Sequence, residues 1–323
     1  MHQFHGLMRR VLQSGKKAKN DRTGEQCNFL VGETLRFDLA DGFPAITTKK
    51  LAFNACKGEL LGFFRGYTSA ADFRALGCKI WDANANETEG WLANPARKGT
   101  DDLGLIYGAQ WTDWRDTRVC RDYDEFARLR AVGYTPLVEG VPLIPGDPRA
   151  VVYVVERRIN QLEAALRKLK SDPSDRRIIV SGWNVAELDR MALPPCHMDY
   201  RFVARGQKLD VVMTIRSWDL FLGGPFNIAS TALFLSIMAQ LAGFESGEVI
   251  IQATNAHLYA THFEAVEEQL SRPHFESPQL LLQGINPVRS SAEVVGAFAR
   301  IEPQQICLLN YQSHDAIPAR MAA

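Results

Sequence analysis

Residues 200–241 read YRFVARGQKLDVVMTIRSWDLFLGGPFNIASTALFLSIMAQL and combine two kinds of hydrophobic pattern. Residues 200–204 and 209–216 have the composition of strands, and the Arg205-Gly206 pair between them is typical of a turn. Residues 227–241 are apolar nearly all round, which is typical of a helix buried on every side. The stretch therefore predicts a β-hairpin packed beside a buried helix.

Further elements are predicted on the N-terminal side of this stretch. Apolar residues recur at helical spacing over residues 3–14 and again from Ile159 to Leu169, which predicts two amphipathic helices. A mostly apolar helix is predicted over residues 54–66, and strands over residues 29–39 and 177–183. Helices and strands do not alternate as β-α-β-α. The order favours an α+β fold with a large mixed β-sheet flanked by helices.

The chain of 323 residues is long enough for one large domain. Two stretches have the composition of surface insertions. Residues 83–102 are rich in Asn, Gly and Asp, and residues 113–150 mix charges with four prolines and have poor periodicity. We expect a single catalytic domain over residues 1–323, with surface insertions near 83–102 and 113–150 and regular structure resuming at Val151.

The balance of charge bears on the class of partner. Lys plus Arg and Asp plus Glu both number 37, so the formal net charge is zero, whereas binding of long nucleic acid normally needs a basic excess. No apolar run approaches the 18 residues of a membrane span, and the N-terminus lacks the apolar core of a signal peptide. The six cysteines show no C-x-x-C or zinc-finger spacing. We therefore expect a cytoplasmic protein without a metal site, a polynucleotide partner or a membrane partner.

Cys196 is the first candidate for chemistry, in the run Leu193-Pro194-Pro195-Cys196-His197. Two prolines stiffen the chain before it. A lone cysteine is usually a small buried apolar residue without chemistry. The alternative is a nucleophile, because a nearby positive charge lowers the pKa of a thiol and the thiolate is the reactive form. Successive strand side chains point to opposite faces, so His197 is expected to support Cys196 and not to act as its base.

Arginines occur in three short polar runs, at Arg22, at Arg176-Arg177 and at Arg216-Ser217. An Arg guanidinium matches phosphate oxygens bidentately and stays charged. The alternative reading of each is a surface salt-bridge partner, which Arg216 fits least because it ends an apolar strand. Arginines that bind a phosphate close to a cysteine nucleophile would predict a phosphorylated electrophile as the substrate class.

Asn227 follows Gly223-Gly224-Pro225-Phe226 and has two alternative interpretations. An amide is both donor and acceptor, so it can bind the N3–H and O4 of a uracil ring together, whereas cytosine would suit Asp better. Asn is also a preferred helix N-cap. Both roles remain open from the sequence.

Three further residues are candidates. His257 and Tyr259 would face the same side of an extended segment and could share a sugar hydroxyl, or they could form a buried structural pair. Glu59 lies on an apolar helix, where burial raises the pKa of an acid toward the range useful for proton transfer. No G-x-G-x-x-G or Walker motif is present, so a dinucleotide or ATP site has no support.

Taken together, these runs resemble the thymidylate synthase family along most of the chain. The order and spacing of the runs match the family. The matching runs are Asp21-Arg22-Thr23-Gly24, Gly42-Phe43-Pro44, Thr47-Thr48-Lys49-Lys50, Ile80-Trp81-Asp82, Tyr107-Gly108 with Gln110-Trp111, Asp175-Arg176-Arg177-Ile178, Pro195-Cys196-His197, Arg216-Ser217, Asp219 with Phe221-Leu222-Gly223, Pro225-Phe226-Asn227 and His257-Leu258-Tyr259.

The resemblance implies reductive methylation of dUMP to dTMP. Both the one-carbon unit and the hydride would come from 5,10-methylenetetrahydrofolate, leaving dihydrofolate. It implies that Cys196 adds to C6 of the uracil, that Asn227 holds the pyrimidine edge, and that Glu59 and Tyr107 serve proton transfer. It also implies a homodimer formed through the sheet face, with Arg176 and Arg177 reaching the phosphate from the partner subunit.

The resemblance assigns the remaining site residues to two groups. The residues implied to bind the nucleotide are Arg22, Arg176, Arg177, Arg216, Ser217, Asn227, His257 and Tyr259. The residues implied to line the folate slot are Ile80, Trp81, Asn84, Asp219, Leu222, Gly223, Phe226 and, in the closing tail, Ala322. Arg216 is also counted among the catalytic residues, with Cys196, Glu59, Tyr107 and Asn227.

The chain departs from the family pattern around the folate. Asn84 stands where many members have a second Trp, and Gly62 stands where a Trp is common. If water reached the methylene intermediate before the hydride, the product would be 5-hydroxymethyl-dUMP, so a dUMP hydroxymethylase of the same fold is the alternative enzyme. A non-catalytic nucleotide-binding relative is a further alternative, against which Cys196, Glu59 and Asn227 argue.

Overall fold

A large sheet and a long buried helix organise this computed structural model, which describes residues 1–19, 24–143 and 151–320. The helices are α1 (His2–Ser14), α2 (Phe53–Phe64), α3 (Ala70–Ala75), α4 (Asp82–Asn86), α5 (Glu89–Leu92), α6 (Tyr107–Thr112), α7 (Tyr123–Ala131), α8 (Gln161–Ser171), α9 (Gly223–Ala242), α10 (Phe263–Ser271) and α11 (Ser291–Val294). The strands are β1 (Lys16–Lys19), β2 (Gln26–Asp38), β3 (Trp114–Cys120), β4 (Thr135–Pro142), β5 (Val151–Ile159), β6 (Ile179–Ser181), β7 (His197–Arg205), β8 (Lys208–Ile215), β9 (Trp218–Asp219), β10 (Glu245–Tyr259), β11 (Gln279–Leu282) and β12 (Ile306–Leu309).

The main sheet has the strand order β1-β2-β10-β8-β7-β6, and β9 pairs with β10. Strand β10 runs parallel to β8 and β9 but antiparallel to β2. The α+β fold with a large mixed sheet is therefore confirmed. The predicted hairpin is confirmed as well, since β7 and β8 are antiparallel and close with Arg205 opposite Lys208.

Helix α9 supplies much of the core. It packs on β8, β10, α2 and α8, and its buried side chains lie all round it. By length and composition it could cross a membrane, but 83% of its apolar window is buried inside the protein. The predicted buried helix is confirmed. It starts earlier than the sequence suggests, at Gly223, directly after a turn in which the Asp219 carboxylate accepts hydrogen bonds from the backbone N–H groups of Phe221 and Leu222.

The expectation that regular structure resumes only at Val151 is wrong, because the described part of residues 113–150 contains β3, α7 and β4. Strands β3, β5 and β4 form an antiparallel sheet, and α7 covers one face of it around Phe126, Tyr134 and Val155. The alternation of apolar and polar residues is not visible in the sequence because the covered face also holds charged residues. Asp116 accepts a hydrogen bond from Tyr134, and Arg118 lies over that ring. Residues 144–150 lie outside the described residues.

Two other boundaries differ from expectation. The strand predicted over residues 177–183 shortens to β6, because the Asp175 carboxylate accepts the backbone N–H of Arg177 at 2.8 Å and forms a turn there. The stretch 83–102 contains the short helices α4 and α5 instead of an open loop. Both helices lie against the side of the molecule that carries α2 and α3.

Candidate active site

Cys196 lies half-buried just before β7, and its backbone is held on both sides. Its N–H donates to the Tyr107 hydroxyl oxygen at 2.6 Å, and its carbonyl accepts the N–H of Arg216 at 2.9 Å. None of the six cysteines forms a disulfide bond. Burial raises the pKa of Cys56 and, to about 12, that of Cys78, which keeps both as thiols. These observations favour Cys196 as the reactive cysteine.

Tyr107 begins α6 and is buried in an aromatic cluster. Its ring stacks on Phe63 at 4.8 Å and meets Trp81 and His197 edge-on. Burial raises the pKa of its hydroxyl well above the usual range, so the hydroxyl stays protonated at neutral pH. The sequence assigned no role to Tyr107 by spacing; the structure places its hydroxyl at the cysteine backbone.

Arg216 fixes the proline turn before the cysteine. Its Nε donates to the Pro195 carbonyl at 2.9 Å and its Nη2 to the Pro194 carbonyl at 2.8 Å, while the guanidinium lies over the Trp183 ring. No carboxylate pairs with it among the described residues, so the salt-bridge reading is wrong for Arg216. Nη1 remains as a charged donor beside the half-buried Ser217.

Asn227 lies in the second turn of α9, because the helix already begins at Gly223. The N-cap interpretation is therefore wrong. Its Oδ1 lies over Gly223, where an added Cβ would come within 3.2 Å, so a side chain at 223 would crowd the amide. The half-buried amide therefore lies in the second turn of α9, next to the His197 ring.

His197 is buried next to Cys196 and supports the site. Its Nδ1 shares a hydrogen bond with the Tyr200 hydroxyl at 2.9 Å. Burial lowers its pKa to about 4, an effect that the nearby Asn227 amide partly opposes. A ring that stays neutral above pH 5 fits the supporting role expected from the sequence.

His257 and Tyr259 lie on one face of β10, and their rings meet at 5.0 Å. The His257 Nδ1 shares a hydrogen bond with the Asn255 Oδ1 at 3.0 Å. His257 and Tyr259 are both buried. Burial lowers the pKa of His257. The same-face prediction is confirmed; their contact with a sugar stays a prediction.

Glu59 is buried on α2, as the apolar helix predicts. Trp81 Nε1 donates to its Oε1 at 3.1 Å. Burial raises the pKa of Glu59 to about 8, although the Trp81 hydrogen bond opposes the shift. A carboxyl that titrates near neutral pH is suited to proton transfer.

The predicted folate slot has apolar walls. Ile80, Leu222 and Phe226 pack on the core and stay half-exposed, and Asn84 is half-exposed on α4. No space is left at Gly62, because a Cβ there would come within 2.3 Å of the Phe73 ring. Of the two departures from the family pattern, only Asn84 therefore leaves polar surface in the slot.

Lys49 is a site residue to which the sequence assigned no role. It is buried, its Nζ donates to the Phe221 carbonyl at 2.6 Å and lies 3.6 Å from the centre of the Phe221 ring. Burial lowers its pKa to about 8, and Asp219 opposes that shift. The Asp219 carboxylate is thus close enough to Lys49 to favour its charged form. The signal available in the sequence was the run Thr47-Thr48-Lys49-Lys50, which the chain shares with the family pattern.

Arg176 and Arg177 are exposed and lie away from Cys196. The Phe202 N–H bonds to the Ile178 carbonyl, so Ile178 lies opposite the sixth residue after Cys196, roughly 20 Å along the strand at about 3.3 Å per residue. Arg177 forms two hydrogen bonds with the Asp175 carboxylate, at 2.9 and 3.0 Å. Neither arginine reaches the cysteine of its own chain. Arg22 and Ala322 lie outside the described residues.

In the described part of the chain, no group of three His, Cys, Asp or Glu side chains is arranged to hold a metal ion. The site described above supplies a cysteine, a buried carboxyl, a tyrosine hydroxyl and an amide. Such a set can add a thiolate to a carbon and move protons around it.

Comparison with known proteins gives a consistent result over the full length. A model of the family described as thymidylate synthase matches residues 2–323. Proteins named thymidylate synthase from Bordetella parapertussis and Pseudomonas putida are 40% identical over 331 residues and 39% identical over 333 residues, with 100% of each chain covered. One of the same name from Histophilus somni is 34% identical over 319 residues, covering 98% of both chains.

Proposed function

The chain belongs to the thymidylate synthase family, and from that premise we propose that it methylates dUMP to dTMP through a covalent bond between Cys196 and C6 of the uracil. 5,10-Methylenetetrahydrofolate supplies the one-carbon unit and the hydride and leaves as dihydrofolate. The observation that carries the proposal is the fixed backbone of Cys196, held by the Tyr107 hydroxyl on one side and by Arg216 on the other.

Cys196 and Arg216 act on the same substrate in this proposal. Attack of the Cys196 thiolate forms the S–C6 bond and moves the C5–C6 electron pair toward C4 and O4, so that C5 becomes nucleophilic. Arg216 keeps Nη1 for the phosphate, next to Ser217, while its other nitrogens hold the proline turn. The same cation favours the thiolate form of a neighbouring cysteine.

Asn227 binds the pyrimidine ring, and Glu59 and Tyr107 take part in proton transfer. The Asn227 amide donates to O4 and accepts from N3–H, which fits uracil and not cytosine. Glu59 exchanges a proton near neutral pH, and Tyr107, which stays protonated, orders the water that takes the C5 proton. His257 and Tyr259 bind the sugar hydroxyl.

The folate side of the site fits a flat apolar ring with a polar edge. Ile80, Trp81, Leu222 and Phe226 provide the apolar walls, and Gly223 allows close approach. Asp219 has one carboxylate oxygen that is not used in the turn before α9 and can accept from the ring nitrogens. Asn84 lies at the same slot, and Ala322 belongs to the tail assigned to close it.

The experiment that tests this function uses dUMP and methylenetetrahydrofolate with the intact protein. We expect dihydrofolate, followed by its absorbance, and dTMP, identified by mass, in equal amounts. Formation of 5-hydroxymethyl-dUMP without dihydrofolate would identify the hydroxymethylase instead and overturn the proposal. Nucleotide binding without any product would point to a non-catalytic relative.

A homodimer completes the site in this proposal. Val203 is exposed on β7 and alternates with Phe202, which packs on Phe234 of α9, so Val203 lies on the face of the main sheet opposite α9. Arg176 and Arg177 lie too far along the strand to reach their own cysteine. A two-fold dimer through that face would bring each arginine pair to the partner's phosphate. A role in the partner's site also explains why both arginines are exposed in the single chain. We place the enzyme in the cytoplasm. The absence of a disulfide bond among the six cysteines supports this location.

Mixing two inactive variants tests this arrangement. The Cys196→Ser protein and the Arg176→Ala/Arg177→Ala double variant should each be inactive, yet an equal mixture after subunit exchange should recover about one quarter of wild-type activity. Half of the dimers are then mixed, and each mixed dimer holds one intact site. Steady-state turnover before and after exchange measures the recovery. No recovery from mixed dimers, verified by mass, would place the arginines in the same subunit's site.

A further inference from the structure

A polar network links the stretch 83–102 to the proton-transfer group. Its members are Arg74 on α3, Asp82 and Asn86 on α4, and Asp101. We propose that Arg74 and Asp101 are positioning residues that fix α4, and with it Trp81 and Asn84, so that the indole stays bonded to Glu59. The inference rests on the proposed function for the role of Glu59.

Arg74 is the centre of the network. Its Nη1 donates to Asp82 Oδ1 at 2.8 Å and to Asp101 Oδ1 at 3.0 Å, and its Nη2 donates to Asp101 Oδ2 at 2.6 Å. The bidentate contact with Asp101 fixes the plane of the guanidinium, and the same fork then reaches the first residue of α4. A lysine, with a single point charge, cannot reproduce this geometry.

Asp101 and Asn86 form a reciprocal pair. Asn86 Nδ2 donates to Asp101 Oδ1 at 2.8 Å, and the Asp101 backbone N–H donates to Asn86 Oδ1 at 2.9 Å. The Asp101 carbonyl accepts the N–H of Ala70 at 2.8 Å, and its φ of 64° lies in the left-handed region. The Asp101 backbone keeps this strained conformation because both its N–H and its carbonyl are hydrogen-bonded.

The network therefore forms hydrogen bonds with both ends of α4. Asp82 is its first residue and Asn86 its last, and a helix of five residues has too few internal hydrogen bonds to be stable alone. Isolated surface ion pairs stabilise little. Four groups that converge on one helical turn instead restrict where that turn can lie.

The residue before α4 is Trp81, whose indole bonds to Glu59. The indole also packs against Phe63 and Phe73, and Phe73 is the neighbour of Arg74 in the chain. A shift of α4 would therefore move the indole away from the carboxyl. Because that hydrogen bond favours the ionised carboxyl, its loss would raise the pKa of Glu59 above about 8.

The network is charged throughout the working range of pH. Arg74 and the Asn86 amide hold the pKa of Asp101 below its usual range, and the two aspartates raise that of Arg74. The other charged groups near the network are Arg97, which donates to the Ala85 carbonyl, and Asp102, which accepts the Lys98 N–H. Arg74 and Asp101 therefore both keep their charges near neutral pH, so a pH effect of a variant would report on Glu59.

Arg74→Met tests the inference, with Arg74→Lys as the conservative variant. We expect the KM for methylenetetrahydrofolate to rise about tenfold and the KM for dUMP to change less than about twofold, since only the folate side contacts α4. We expect the Glu59 carboxyl, followed by isotope-edited infrared with Glu59→Gln for assignment, to titrate at least about half a unit higher. Arg74→Lys should recover part of both effects.

Arg121→Met is the matched control, since it removes the same charge from the exposed pair with Glu125 outside the network. A folded Arg74→Met protein with unchanged folate KM and unchanged Glu59 titration would overturn the inference. An equal rise of the KM for both substrates without a shift in the Glu59 titration would also overturn it, because that result indicates a merely structural role. If Arg74→Met does not fold, Asp101→Asn takes its place with the same readouts. The infrared titration needs no turnover, so a wild-type protein without dTMP formation would refute the proposed function alone.

Discussion

Replacing Cys196 with serine should lower the turnover of dUMP by at least about 10⁴-fold. A serine hydroxyl is almost wholly protonated at neutral pH and is a weak nucleophile, so the S–C6 bond has no replacement. The contacts that hold the backbone, from Tyr107 and Arg216, do not involve the sulfur atom and should survive. The dissociation constant of dUMP, measured by calorimetry, should therefore change by less than about tenfold.

Cys307→Ser is the matched control for this change. Cys307 is half-buried on β12, where its sulfur lies 3.9 Å from the Gln304 carbonyl, and it takes no part in the proposed site. We expect wild-type turnover from it. Turnover retained by Cys196→Ser, or lost equally in both variants, would remove Cys196 from the mechanism.

Replacing Glu59 with glutamine should lower kcat by about 10² to 10⁴-fold, the range for loss of a general acid or base. The amide keeps the size of the side chain and can accept the Trp81 N–H, but it cannot exchange a proton. Glu264→Gln is the control, because Glu264 is exposed in the first turn of α10. A Glu59→Gln enzyme with wild-type kcat would exclude Glu59 from proton transfer.

The same variant should change how stability depends on pH. The pKa of Glu59 is about 8 in the folded protein and near 4.5 in the unfolded chain, so the folded state holds the proton over that interval. The free energy of unfolding of the wild type relative to Glu59→Gln should be highest below pH 4.5 and fall as pH rises to 8. The total fall should be roughly 4 kcal/mol. Denaturant unfolding at several pH values measures it, and a parallel course for both proteins would contradict the buried, protonated carboxyl.

The sequence predicts those elements whose own residues carry the pattern. Helix α9 is apolar on all sides and the β7–β8 hairpin has its turn between two apolar runs, so both are visible without knowledge of the fold. The sheet of β3, β5 and β4 is not, because Asp116 and Arg118 occupy its covered face and pair with Tyr134. Charged residues on the same strand face as buried apolar ones remove the alternation of apolar and polar residues on which the prediction depends.

The candidate site follows the same rule. Burial of Glu59 could be predicted from its apolar helix, whereas the Arg74–Asp101 contact joins residues 27 positions apart and leaves no periodic signal. The N-cap interpretation of Asn227 fails because the helix already begins at Gly223, directly after the turn that Asp219 forms with Phe221. The partners of Arg216 are backbone carbonyls, which any sequence offers, so its role in holding Pro194 and Pro195 could not be predicted.

The central claim, a bond between Cys196 and C6 of the uracil, is tested most directly with 5-fluoro-dUMP and methylenetetrahydrofolate. Fluorine at C5 cannot leave as the proton does, so the covalent complex should accumulate and survive denaturation. Trypsin cleavage after Arg190 and Arg201 releases residues 191–201, which include Cys196 alone among the cysteines. We predict that mass spectrometry finds the nucleotide and folate on that peptide, at Cys196. No adduct, or an adduct on another residue, would contradict the account.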